Sequence, residues 1–117
     1  MSWNRRAIGA FATLCPAMCW AAVGEAVESQ HCPTQVGRPL RYVDVFDGVP
    51  AENVILVPDV AGARSGKWNL AYVYDSGRSV TLKCKYEGGA STEVRLSRVS
   101  ECRYTLSKQA VLDLRCR

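Results

Sequence analysis

"SVTLKCKYEGGASTEVRLS", residues 79–97, alternates apolar and polar side chains, halts at paired glycines, and then alternates again. Val80, Leu82, Cys84 and Tyr86 fall on one side, and Thr81, Lys83 and Lys85 on the other. A period of two marks a half-buried strand. "EGGAS" (87–91) is a turn. The return run "TEVRLS" (92–97) sends Val94 and Leu96 inward. The stretch therefore predicts an antiparallel hairpin with one apolar and one solvated face.

The same pattern extends in both directions. "SECRYTL" (100–106) puts Cys102, Tyr104 and Leu106 on one face, and "AVLDLRCR" (110–117) does so for Leu112, Leu114 and Cys116. Upstream, "WNLAYVY" (68–74) is rich in strand-favouring residues and predicts a strand with Trp68, Leu70, Tyr72 and Tyr74 on one side, ended by the turn "DSGR" (75–78). Tyr42 to Phe46 predicts a further strand turning at Asp47 and Gly48, and Pro50 to Asn53 a helical turn. "NVILVP" (53–58) returns to β-branched residues. "DVAGARSGK" (59–67) is a polar, small-residue loop and a candidate recognition element. The expected fold is all-β: a small antiparallel meander, or a sandwich or barrel.

The N-terminus reads as an export signal. Arg5 and Arg6 precede the uncharged, mostly apolar run Ala7 to Val23, and small residues follow at Ala22, Gly24 and Ala26. Leu14 and Met18 precede Cys15 and Cys19 where a lipoprotein signal needs a small residue, so lipidation is not expected. The expected organisation is a signal peptide at 1–26 and one disulfide-stabilised β domain at 27–117. Loss of the leader leaves thirteen basic against ten acidic residues, a net +3 that is too modest to argue for nucleic acid. The expected location is the periplasm or beyond the cell, with no stable membrane anchor after cleavage.

Cys32, Cys84, Cys102 and Cys116 remain in the exported portion. An even number of cysteines in a short chain bound for an oxidising space implies disulfides. Three pairings exist. The expected one joins Cys84 to Cys102 and Cys32 to Cys116, the latter tying the start of the domain to its end. The cysteines lie 52, 18 and 14 residues apart with no Cys-x-x-Cys pair, so neither a metal site nor any other cofactor is expected. His31 reads as a solvated neighbour of an anchored cysteine.

Chemistry is sparse. The acids Asp44, Asp47, Glu52 and Asp59 cluster in sequence but match no calcium loop, and no nucleophile–base pair stands out. The chain is not expected to be an enzyme. One outer face is expected to carry Lys83, Lys85, Arg95, Arg103 and Arg115 among Glu93, Glu101 and Asp113. That pattern reads either as cross-strand charge pairing or as a mildly positive docking face. The expected partner-binding residues are Arg64, Lys67, Lys83, Lys85 and Arg95.

Several short motifs occur in order: "CP" (32–33), "VFDG" (45–48), "LVPD" (56–59), "WNL" (68–70), "LKCKY" (82–86) and the later Cys102. Together they resemble a family of small exported bacterial proteins with no assigned activity. In architecture the chain is also similar to periplasmic lysozyme inhibitors and to immunity proteins that neutralise wall-attacking toxins. The resemblance implies a non-enzymatic binding protein with a toxin or hydrolase as partner. The alternative is an envelope-associated protein contacting anionic polymer or lipid headgroups; a small hydrolase stands third.

Overall fold

The computed structural model describes residues 29–117. The expected leader, with Cys15 and Cys19, lies outside the described residues.

Among the described residues, eight strands form two antiparallel sheets. The three-stranded sheet has the order β2 (Leu40–Asp47), β5 (Val80–Tyr86), β6 (Ser91–Arg95). The five-stranded sheet has the order β1 (Gln30–His31), β8 (Leu112–Cys116), β7 (Glu101–Leu106), β4 (Ser65–Asn69), β3 (Val60–Ala61). Val43, Val45, Leu82, Cys84 and Tyr86 of the first sheet share one buried cluster with Trp68, Cys102, Leu114 and Cys116 of the second. The apolar phase of the longer strands thus faces the other sheet, the solution adopted by a β-sandwich.

The opening hairpin is present as expected, with Leu82 opposite Val94 and Cys84 opposite Thr92. The last two runs form a second hairpin, β7–β8, with Tyr104 opposite Leu114. The two hairpins belong to different sheets, however, so the chain does not continue as a single meander.

This division overturns the expected cysteine pairing. Cys84 sits on the central strand of one sheet and Cys102 on the other sheet, where Cys116 lies directly opposite it with Cα atoms 4.0 Å apart. The bonds are therefore Cys102–Cys116, within a sheet, and Cys32–Cys84, which ties the residue just after edge strand β1 to the central strand of the other sheet. The start-to-end tie expected of Cys32–Cys116 is made by backbone pairing instead. Gln30 pairs with Cys116 and His31 with Arg115.

A second correction concerns residues 68–74. Strand β4 stops at Asn69, opposite Glu101, where β7 begins. The chain then winds into a short helix, α1 (Ala71–Asp75), that buries Val73 completely. Leu70, Val73 and Tyr74 have the i, i+3, i+4 spacing of a helix face, and a short apolar run satisfies both periods. Tyr72, expected inside, is exposed. The Tyr74 hydroxyl donates to the Leu96 carbonyl and accepts from the Val80 N–H, while burial pushes its pKa up.

The 59–67 loop is also more ordered than its composition suggests. It forms the β3–β4 hairpin, with Val60 opposite Lys67 and Ala61 opposite Gly66. Gly66 has a specific reason to be glycine. The Tyr104 ring lies over it from the next strand, and a Cβ there would come within 2.3 Å of a ring carbon. Trp68 packs against the same ring in a tilted arrangement, with centroids 5.3 Å apart.

Candidate functional site

The short motifs prove to be bonded to one another. "CP" and "LKCKY" are joined by the Cys32–Cys84 bond and by a hydrogen bond from the Tyr86 hydroxyl to the Pro33 carbonyl. "VFDG", "LVPD" and "WNL" form a second group. The Leu56 N–H donates to the Val45 carbonyl and the Asp47 N–H to the Val54 carbonyl, which fastens residues 54–56 to the outer edge of β2. The Trp68 indole N–H then donates to the Leu56 carbonyl at 3.0 Å, and the Asn69 N–H to the Asp59 carboxylate at 2.6 Å.

This lacing turns polar backbone inward and leaves apolar side chains outside. Ile55 and Val57 are 55% and 80% exposed, and Tyr42 across the edge of β2 is 58% exposed. They border a groove of about 440 Å³ whose lining includes Trp68, Tyr104, Leu106 and Leu112. An apolar rim that the fold does not need for its own packing is the usual mark of a recognition surface.

The five cations expected to bind a partner do not converge. Arg64 is exposed at the tip of the β3–β4 hairpin, next to Ala63, which lines the groove. Lys85 lies 5.5 Å from the centre of the Tyr42 ring and 2.8 Å from the Asp44 carboxylate, which raises its pKa. Lys83, on the same strand, lies between Asp44 and Glu93 in register. Arg95 reaches the Ser79 hydroxyl at the far end of that sheet. Lys67 is on the other sheet.

The single basic face expected from the alternation is therefore two faces. Lys83, Lys85 and Arg95 occupy one sheet, and Arg103 and Arg115 the other. Ion pairing accounts for part of each. Glu101 bonds Arg103 at 3.1 Å and Arg117 at 2.7 Å, and these two, Arg103 foremost, hold its carboxyl below the usual carboxylate range.

The clustered acids are occupied in the same way. Asp47 and Glu52 share Arg78, Asp44 faces Lys85, and Asp59 caps the Asn69 amide. Among the described residues, no three His, Cys, Asp or Glu side chains come together as a metal site. His31 is exposed on β1.

Sequence reasoning missed the groove. Its one signal was "NVILVP", an apolar run without alternation and ending in proline, a pattern that cannot hide every side chain from water. The family model of the type VI secretion system Tli immunity protein matches residues 33–117, most of the chain. The chain belongs to the Tli immunity protein family. No curated protein and no solved structure matches it. Family membership agrees with the broader likeness to immunity proteins and supports a protein partner. The match begins one residue after Cys32 and spans both edges of the groove.

Proposed function

We propose that this Tli-family protein works in the periplasm as a non-enzymatic immunity protein. It binds a cell-envelope-targeting type VI toxin and blocks it by occlusion. The groove between β2 and the 54–59 segment is its contact surface. Tyr42, Ile55 and Val57 supply the apolar centre, and Arg64 and Lys85 stand at its rim. The observation that carries this reading is the exposed apolar rim on a chain whose family neutralises toxins. Two disulfides support an oxidising compartment, and the expected leader at 1–26 accounts for delivery there.

Interface energy concentrates in a few large side chains at the centre of the buried patch. The double substitution Ile55→Asp, Val57→Asp places two charges there. It is expected to weaken toxin binding by about 100-fold, mostly through faster dissociation. Thermal stability should largely hold, because both side chains are more than half exposed. Calorimetric titration with any type VI toxin found encoded beside this gene checks it. Wild-type affinity in the double variant would overturn the groove as the contact surface.

A further inference from the structure

A row of three cations, Lys67, Arg103 and Arg115, crosses the outer face of the five-stranded sheet, with His31 at its end. His31 is opposite Arg115, Arg115 opposite Arg103, and Arg103 opposite Lys67. Residues paired in this way share a face. Their inward-pointing neighbours, Cys116, Cys102 and Trp68, are buried, which fixes this row outside. Like charges directly opposite one another across strands are destabilising, so the strand pairing by itself gives no reason for the arrangement.

The surrounding acids do not cancel it. Glu101, at one side of the row, is divided between Arg103 and Arg117. Asp113, at the other side, reaches Arg115 only at 3.5 Å, with both groups largely in water. Lys67 has no carboxylate within ion-pair distance among the described residues. Arg103, Arg115 and Arg117 also line a shallow hollow of about 480 Å³ on this face.

We propose that this row receives an acidic strip of the toxin and speeds its capture, a second contact that rests on the immunity reading above. Neighbouring strands are about 4.8 Å apart, so Arg115, Arg103 and Lys67 repeat at nearly the spacing of residues three or four apart on a helix. A partner helix with carboxylates at i, i+4 and i+7, lying across the strands, meets all three. Glu101 and Asp113 flank the row on both sides. They admit a narrow acidic strip and repel a broad anionic sheet such as a membrane. Complementary charge of this kind acts mainly on the association rate.

The test compares wild type with the double variant Lys67→Ser, Arg115→Ser in stopped-flow binding to any type VI toxin found encoded beside this gene. Wild type should associate more slowly as salt rises from about 50 to 300 mM. At low salt the variant should associate about tenfold more slowly, with a flatter salt dependence and nearly unchanged dissociation. Its melting temperature should equal or exceed that of wild type, which a structural role for these cations does not allow. If wild type binds the toxin and the variant binds it at the same rate, the row is not a docking site and the immunity reading stands. If wild type binds no such toxin, both fail. Sedimentation with phosphatidylglycerol vesicles provides the remaining arm. Vesicle binding lost in the variant, with toxin rates unchanged, would reassign the row to a lipid surface and overturn the proposal.

Discussion

Replacing Cys32 and Cys84 together by alanine is expected to cost about 4 kcal/mol of stability, from a domain whose total lies near 5–15 kcal/mol. The bond closes a separation of 52 residues and crosses between the two sheets. The unfolded chain therefore gains a large loop freedom when it is absent. Replacing Cys102 and Cys116 releases only 14 residues within one hairpin and should cost about 3 kcal/mol. That hairpin also retains its strand pairing through Tyr104–Leu114 and Leu106–Leu112. Urea unfolding of the two alanine pairs checks the order. A larger loss for the shorter loop would contradict the picture of one bond joining sheets and one bond within a sheet. So would a Cys84–Cys102 peptide in the digest of the native, unreduced protein.

Trp68→Ala is expected to cost about 3–5 kcal/mol, the usual range for deleting a buried aromatic ring. Three losses coincide there. The ring is buried and leaves a void beside Tyr104. The Leu56 carbonyl loses the indole N–H that anchors it. The 54–59 segment is then held to this side of the core through Asp59, whose carboxylate accepts from the Asn69 amide and whose N–H donates to the Lys67 carbonyl. Urea unfolding should report the stability loss, and limited proteolysis should cut between residues 57 and 63 before global unfolding. Trp68→Phe keeps most of the ring and loses the indole bond, so it should fall between the two. A loss below about 1 kcal/mol for the alanine variant would mean that the indole does not tie this segment to the fold.

Much of this fold was legible from period-two alternation. That pattern gave the β5–β6 and β7–β8 hairpins and the inward phase of every cysteine-bearing strand. It was silent on which sheet each hairpin joins, because a strand's own pattern carries no information about the sheet across the core. The disulfide pairing depended on that fact alone, and the expected Cys84–Cys102 bond failed with it. The 68–74 run went wrong for a different reason. "LAYVY" supports either period, and the choice was made by β7 beginning at Glu101, which leaves β4 only the Ser100 carbonyl, bonded by the Leu70 N–H, beyond Asn69.

The candidate site was less legible than the scaffold. Arg64 and Lys85 stand near the groove, but Tyr42, Ile55 and Val57 looked like ordinary strand residues. Their exposure arises because Val45, Asp47 and Trp68 claim the backbone of residues 54–56. Only long-range hydrogen bonds create that situation. The cation row has the same origin: Lys67, Arg103 and Arg115 are 36 and 12 residues apart in the chain, and only strand order sets them side by side.

The most direct measurement is a titration of toxin activity with the purified, fully oxidised protein. Capture by a surface that covers the toxin predicts a linear fall in activity that reaches zero at a fixed whole-number stoichiometry, with no turnover of the toxin into altered products. A toxin that keeps its activity in molar excess of this protein, or one inactivated by substoichiometric amounts, would contradict neutralisation by occlusion.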